Sequence, residues 1–186
     1  IALYEILKNH YGCKVRIIYD SINKISSKLL NSINLKLDDY KDFEDSFDFL
    51  ILVDTNNPVQ VGNILNNLTD FMDRTIIIDH HPQHKDITDF SPANIIDPSF
   101  SSTCEIIFEI GKELDFKFSK IANFLLLAGI TYDSRHFIIA NKNTFEIAFN
   151  LIENDAGYRE IISLLNQPKD RSEKIARLKT AKRADL

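Results

Sequence analysis

Side chains able to bind a metal or to act as acids and bases stand directly after two apolar runs of the chain. Asp54 follows one run, and the triplet Asp79-His80-His81 follows the other. Carboxylate and imidazole groups together suit Mn²⁺, Zn²⁺ or Fe²⁺. Adjacent histidines beside an aspartate are scarce at ordinary residue usage. The triplet therefore indicates a metal site, and a surface loop that caps a helix is the alternative interpretation.

The proline after the triplet predicts how the two histidines are presented. Pro82 disfavours helical backbone at His81 and favours an extended conformation there. Side chains of adjacent residues on extended backbone point to opposite sides. We therefore expect His80 and His81 to point apart, with one binding metal and the other directed elsewhere, towards a substrate phosphate for example.

The elements before these residues have the pattern of buried parallel strands. Residues 49–53 are apolar without interruption, as in strands covered by helices on both faces. Residues 75–78, a threonine followed by three isoleucines, are predicted as the next strand. The carboxyl ends of such strands line the crevice where ligands bind. Asp20 follows a third predicted strand, where a turn or helix-cap role is favoured. For Asp54 the two interpretations are balanced, because Asn57 is available to cap the next helix.

The rest of the chain alternates between the two periodicities, which predicts an α/β domain with a mainly parallel sheet. A further strand is expected at residues 94–97. Helices are expected over residues 21–34, after Asn57-Pro58, over residues 119–130 and over residues 158–165. Two more are expected to begin at capping boxes, one at Ser102 and Glu105 and a similar one at Asn143 and Glu146. The second of these helices is expected to face inward with Phe145, Ala148, Phe149 and Ile152.

Length and composition indicate one ordinary globular domain. The chain has 186 residues, of which 44% are hydrophobic and 26% charged, and no apolar run approaches a membrane span. The net charge of −5 argues against broad binding to duplex nucleic acid but allows a small phosphorylated substrate held by metal ions. Cys13 and Cys104 fit core positions in a reduced cytoplasm. We expect a cytoplasmic protein without a membrane segment.

Taken together and in order, the motifs resemble those of the DHH phosphoesterase superfamily. The segment around Asp54 resembles motif II, Asp79-His80-His81 resembles motif III, and the segment that ends in Asp133-Ser134 resembles motif IV. Residues 101–105 match a helix start rich in serine and threonine. The pattern is similar to the oligoribonuclease, pAp-phosphatase and RecJ-like branch, and family II pyrophosphatases share these motifs.

This resemblance implies a two-metal site, commonly with Mn²⁺, and with Mg²⁺ or Co²⁺ as alternatives. Asp54 corresponds to the aspartate that bridges both ions. His80 and Asp133 correspond to ligands of one ion. His81 corresponds to the histidine that contacts the scissile phosphate or its attacking water, and Asp79 is expected to orient this loop.

Two residues beyond motif IV are weaker candidates for the substrate phosphate. Arg135 and His136 follow Asp133 closely enough to reach a bound phosphate. Exposed loop residues without a role in the site are the favoured interpretation of both.

The resemblance also implies a domain organisation. Residues 1–168 would form a Rossmann-like DHH catalytic domain with helices on both faces of a mainly parallel sheet. Motif I, which supplies further ligands, is not matched, and we expect it to precede Ile1. Residues 169–186 carry seven Lys or Arg against three Asp or Glu. They would form a basic helix or a linker towards a C-terminal substrate-binding domain.

The implied function is metal-dependent hydrolysis of short single-stranded oligonucleotides or nucleoside phosphates, by water activated between two metals. The 186-residue chain alone is expected to be poorly active. A non-catalytic module that binds a nucleotide or a partner, and an inorganic pyrophosphatase, remain the alternatives. The resemblance is also compatible with a homodimer.

Overall fold

The computed structural model describes residues 1–19, 21–35, 47–57, 73–83, 91, 93–154 and 156–166, and residues 38 and 39 by their backbone. Asp20, the helix expected after Asn57-Pro58 and the basic segment 169–186 lie outside the described residues. No helix in the described part of the chain is long and apolar enough to cross a membrane.

The described elements are helices and strands in the first half of the chain and helices alone in the second. In chain order they are α1 (Ala2–Glu5, continued by a π-helical turn Ile6–His10), β1 (Ile18–Tyr19), α2 (Lys24–Ser32), β2 (Asp38–Asp39), β3 (Leu50–Val53), β4 (Thr75–Asp79), β5 (Ala93–Ile96), α3 (Thr103–Glu113), α4 (Lys120–Asp133), α5 (Lys142–Glu153) and α6 (Tyr158–Leu165).

All strand pairs in the described residues are parallel. β3, β4 and β5 form a sheet in that order, and β1 pairs with β2. The register places Val53 beside Ile78 and Asp79 beside Ile96. The predicted α/β fold with adjacent parallel strands at residues 49–53 and 75–78 is therefore confirmed.

β4 is the inner strand, and both of its faces are covered. Thr75, Ile77, Ile78 and Asp79 are buried, although successive residues point to opposite faces. A strand buried on both faces has no need of polar alternation, which explains the consecutive isoleucines at 76–78. Helix α3 packs against this strand.

Helix α4 is the centre of the helical core. It packs against α1, α3, α5 and α6, and Ala122, Leu127 and Ile130 are fully buried. At Gly129 the side chain of Cys104 from α3 takes the space that a Cβ would fill, because a Cβ there would lie 2.3 Å from the Cys104 sulfur.

The two cysteines differ from one another. Cys13 is exposed, so the expectation of a core position was wrong for it. Burial, with the nearby charges of Asp133 and Asp54, raises the pKa of the Cys104 thiol to about 12. The thiol therefore stays protonated at neutral pH and acts as a small packing group.

Two helix starts differ from the expected capping boxes. Ser102 caps α3 by accepting a hydrogen bond from the Glu105 N–H, but the Glu105 carboxylate accepts from the Ser101 and Thr144 hydroxyls. In α5 the cap is Asn141. Its side-chain oxygen accepts from the Thr144 N–H, and the Thr144 hydroxyl oxygen accepts from the Asn141 N–H. Because the Glu105 carboxylate is buried, it needs hydrogen-bond donors, and neighbouring hydroxyls supply them in place of the backbone N–H of a capping box.

The buried face of α5 differs from the expected one, and Ala148 alone of the four residues expected to face inward is buried. Phe145, Phe149 and Ile152 are exposed, and the inward face carries Thr144, Ile147, Ala148 and Leu151. Both sets have helical spacing. The observed choice buries Thr144, whose hydroxyl bonds to Glu105.

The contact between Cys104 and Gly129 gives a stability prediction. Gly129→Ala should lower the free energy of unfolding by about 1–3 kcal/mol, because the new methyl group overpacks the contact. In a Cys104→Ala background the same change should be neutral or stabilising by up to about 1 kcal/mol, because alanine favours helix over glycine. Urea denaturation of the four proteins measures this coupling.

Gly111→Ala in the same Cys104→Ala background is the matched control. A Cβ at Gly111 would meet the Phe118 ring at 2.3 Å, so this change should stay destabilising. Equal effects of Gly129→Ala in both backgrounds would contradict the predicted contact.

Candidate metal centre

Asp54 occupies the first position after β3, in a conformation unusual for a residue other than glycine. Its φ is +62°, in the left-handed region, and its N–H donates to the Ile78 carbonyl at 2.9 Å. Its carboxylate is about half exposed. The Thr103 hydroxyl donates to Asp54 Oδ1 at 2.7 Å. The strand end therefore presents an aspartate that is open to solvent on one side and held on the other.

Asp79 ends β4 and is fully buried. Its Oδ2 accepts a hydrogen bond from the Asn56 amide at 2.5 Å. Its Oδ1 accepts from the His81 N–H at 3.1 Å and lies 2.8 Å from His81 Nδ1. Both carboxylate oxygens are thus engaged in holding the loop. The role of Asp79 in orienting the loop for catalysis stays a prediction.

The hydrogen bonds to Asp79 also act on the charge of His81. The side-chain hydrogen bond to Asp79 raises the pKa of His81, with smaller contributions from the charges of Asp79, Asp54 and Asp133 against partial desolvation. When Nδ1 carries the proton that bonds to Asp79, Nε2 is the ring nitrogen left for another partner.

His80 and His81 lie together, and the expectation that they point apart was wrong. Their ring centroids are 4.1 Å apart, with the ring planes at 53°. The chain bends immediately after β4, and His81 folds back to bond Asp79 through both its backbone and its ring. Opposed directions hold only while the backbone stays extended.

The structure brings Asp54, Asp79, His80 and His81 into one cluster. Each offers one ligand atom, and these atoms lie within 4.8 Å of one another. His80 Nε2 is 3.6 Å from Asp54 Oδ1, too long for a hydrogen bond. Two ligands that each lie about 2.0–2.2 Å from one ion can have this separation. The carboxylate and imidazole donors therefore fit a divalent transition metal between Asp54 and His80.

Asp133 is the last residue of α4 and lies near this cluster without being one of its four members. Burial, together with the charge of Asp54, raises the pKa of its carboxyl to about 6, and the charge of His81 opposes the shift. Asp133 is thus close enough to Asp54 and His81 to interact with their charges. Its role as a metal ligand stays a prediction.

The chain turns sharply after Asp133. Arg135, His136 and Phe137 all have positive φ, at 53°, 55° and 68°, which is costly for residues with a Cβ. The buried Ser134 hydroxyl accepts from the Phe137 N–H, and the Phe137 ring stacks on Phe145. Arg135 and His136 are exposed on this turn, and His136 is not part of the cluster.

Three polar residues that support the site were not singled out from the sequence as part of it. Asn56 bonds Asp79, Thr103 bonds Asp54, and Glu105 joins α3 to α5. All three are buried. The polar helix start at residues 101–105 was the available signal for Thr103 and Glu105. Asn56 had no comparable signal, because its spacing from Asp79 becomes short only when the strands pair.

Glu105 is a buried acid that neighbouring hydroxyls hold in place. Ser101 and Ser102 donate to Oε1 and Thr144 donates to Oε2, the last at 3.3 Å. Burial raises the pKa of Glu105, and these hydrogen bonds oppose the rise. The first turn of α3 is therefore tied to the start of α5.

The family model described as "DHH family, N-terminal domain" matches residues 1–130. The chain belongs to the DHH family. The match includes Asp54, the Asp79-His80-His81 triplet that carries the family's name, and Thr103. Asp133 lies just beyond it.

Individual relatives agree with this assignment. The chain is 34% identical over 173 residues to an uncharacterized protein of Methanocaldococcus jannaschii, and the match covers 93% of the chain and 51% of that protein. It is 32% identical over 103 residues to the cyclic-di-AMP phosphodiesterase PdeA of Listeria monocytogenes, covering 53% of the chain and 15% of PdeA. The chain thus spans about half the length of the first relative.

A solved structure supports the fold of the DHH domain. The crystal structure of an exopolyphosphatase-related protein from Bacteroides fragilis superposes with a TM-score of 0.76 at 20% identity. The superposition covers 92% of this chain and 52% of that protein.

The contact between Asp79 and His81 predicts a change in titration. In metal-free protein, Asp79→Asn should lower the pKa of His81, because the charged hydrogen-bond partner that favours the imidazolium is gone. NMR titration of the histidine ring protons measures the shift. Asp97→Asn, which removes a carboxylate after β5 that bonds Ser99 instead, is the control and should leave His81 unchanged. An unshifted His81 in Asp79→Asn would contradict the contact.

The raised pKa of Asp133 predicts a pH-dependent stability. Its folded pKa of about 6 exceeds the ordinary value of 3.8, so its favourable contribution is complete below pH 3.8 and is lost as pH rises through 6. In metal-free protein, Asp133→Asn should therefore gain stability over the native chain as pH rises from 5 to 7.5. The gain should be on the order of 1 kcal/mol, allowing for partial solvent screening. Urea denaturation at both pH values measures it.

Asp97→Asn provides a control of opposite sign. Hydrogen bonds from Ser99 lower the pKa of Asp97, so its contribution is present at neutral pH and lost as pH falls through the lowered pKa. Asp97→Asn should not gain stability at pH 7.5. A pH-independent difference between Asp133→Asn and the native chain would show that Asp133 ionises normally.

Proposed function

We propose that this DHH domain is the metal-binding part of a hydrolase that cleaves phosphoester bonds of short oligonucleotides or nucleoside phosphates with Mn²⁺. The observation that carries the proposal is the pair Asp54 and His80, 3.6 Å apart at the carboxyl edge of the sheet, beside a His81 that Asp79 holds. Mg²⁺ or Co²⁺ are alternative ions for the same donors.

The proposed role of each residue depends on whether its ligand atoms are already engaged in hydrogen bonds. Asp54 and His80 would hold the metal, with Asp133 as the third ligand supplied by α4. Asp79 is buried with both oxygens engaged, so it serves the loop rather than the ion. A bound divalent ion neutralises phosphate charge and makes water a stronger nucleophile at neutral pH.

His81 would act on the substrate. It is about half exposed, and Asp79 fixes its ring through Nδ1. With a raised pKa, its imidazolium form offers a proton to a phosphate oxygen near the metal. Arg135 and His136 remain weaker candidates for phosphate contact, supported by their exposure on the turn after Asp133.

The substrate class follows from chemistry and relatives together. The chain carries a net charge of −5, which disfavours long nucleic acid but allows a short substrate whose phosphates meet metal ions. The resemblance to the oligoribonuclease and pAp-phosphatase branch supports short oligonucleotides. The similarity to the cyclic-di-AMP phosphodiesterase of Listeria favours a cyclic dinucleotide as a second candidate.

Substitutions in the full-length gene product should separate metal binding from turnover. Asp54→Asn should reduce hydrolysis of a labelled dinucleotide more than about 100-fold, because an amide is a poor ligand for a divalent cation. His80→Ala should lose Mn²⁺. His81→Ala should keep Mn²⁺ while turnover falls about 100-fold or more. Calorimetric Mn²⁺ titration and initial rates with and without chelator measure the two effects.

Asp97→Asn is the control for these measurements, because its carboxylate also follows a parallel strand but bonds Ser99. Mn²⁺ loss in His81→Ala but not in His80→Ala would reverse the roles of the two histidines. Parallel assays with cyclic-di-AMP and pyrophosphate distinguish the other substrates. Nucleotide binding without hydrolysis of any phosphoester would favour a binding module.

A further inference from the structure

Among the residues that the structure describes, Thr103 donates the side-chain hydrogen bond that the Asp54 carboxylate accepts. The residue begins α3, is 3% exposed, and its hydroxyl donates to Asp54 Oδ1 at 2.7 Å across 49 positions of the sequence. We infer that Thr103 is a positioning residue that sets the orientation of the Asp54 carboxylate for metal binding. This inference rests on the proposed function, because it assigns Asp54 as a ligand.

Asp54 needs such a partner because of its backbone and its exposure. Its left-handed φ of +62° costs about 1–2 kcal/mol for a residue with a Cβ, so surrounding contacts must hold it. The N–H bond to Ile78 fixes the backbone but not the side chain. A half-exposed carboxylate would otherwise sample several rotamers. The Thr103 bond selects one of them.

The atom that Thr103 contacts is also the one that matters for the metal. Asp54 Oδ1 accepts from Thr103 and is the oxygen 3.6 Å from His80 Nε2. The hydrogen bond therefore holds the carboxylate where Asp54 and His80 can share an ion. Loss of a partner of this kind commonly lowers metal affinity about 10- to 100-fold.

Thr103 is presented from a rigid support. A threonine has restricted side-chain torsion because its Cβ is branched. The same helix turn is capped by Ser102 and is tied to α5 through the bond between Glu105 and Thr144. A hydroxyl on an anchored helix start positions a ligand more accurately than one on a free loop.

The experiment compares substitutions at Thr103 in the full-length gene product, with Mn²⁺ affinity measured by calorimetry. Thr103→Ser and Thr103→Ala both lose the methyl group and differ only in the hydroxyl. We expect Thr103→Ser to bind Mn²⁺ within about threefold of the native protein, and Thr103→Ala to bind at least about tenfold more weakly. Thr103→Val, which keeps the shape without the hydroxyl, should match Thr103→Ala.

Thr131→Val is the matched control, because the Thr131 hydroxyl is fully buried but bonds the Leu127 carbonyl within its own helix. Its Mn²⁺ affinity should equal that of the native protein. Urea denaturation identifies any unfolded variant, and the serine and alanine pair decides the matter if the valine variant does not fold.

The outcomes separate this inference from the proposed function. Native protein that binds Mn²⁺ together with Thr103→Ala of equal affinity would overturn the role of Thr103 and leave the metal site intact. Equal weakening by Thr103→Ala and Thr103→Ser would also overturn it, because packing would then be the cause. Native protein without Mn²⁺ affinity would overturn the proposed function, and the role of Thr103 with it.

Discussion

The parallel pairing of β3 with β4 is the constraint on which the candidate site depends. Its register sets Val53 beside Ile78, so Asp54 and Asp79 leave the same edge of the sheet one step later. The Asp54 N–H continues the ladder to the Ile78 carbonyl before the chain turns away. A shift of one residue would send these side chains to opposite faces, because strand side chains alternate.

Several acidic side chains are buried around this edge of the sheet, where their ionised forms are destabilised. Asp133 and Glu105 both have pKa values raised by burial, and Asp79 is fully enclosed. Hydroxyl and amide donors satisfy Glu105 and Asp79, whereas Asp133 is repelled by the charge of Asp54, which the charge of His81 offsets in part. A cation would relieve that repulsion, because it favours the ionised form of both carboxyls. Perturbed acids of this kind are typical of functional sites.

The first turn of α3 supports the candidate site through two side-chain hydrogen bonds. Thr103 bonds Asp54 at the sheet edge, and Glu105 bonds Thr144 at the start of α5. These bonds connect the sheet edge to the helical core, so the cluster is supported by regular elements although Asp54, His80 and His81 themselves follow the strands. This arrangement limits the freedom of the ligands before any ion binds.

Local pattern was sufficient for β3 and β4 and for the residues that follow them. Continuous apolar runs predicted β3 and β4, and the positions of Asp54 and the Asp79-His80-His81 triplet followed directly, since parallel strands end at one edge. The family resemblance added Asp133. Periodicity did not decide which face of α5 is buried, because two overlapping stripes of residues have the same spacing.

Only the tertiary structure decided the contacts between residues far apart in the chain. Thr103 and Asp54 are 49 positions apart, and Asn56 and Asp79 are 23 apart. No local rule favours either pair, and each forms only after strands and helices have packed. The contact between the two histidine rings is local by contrast, and it forms because His81 folds back to bond Asp79, two positions earlier. The sequence by itself determined which side chains reach the edge of the sheet, and packing determined how they are held there.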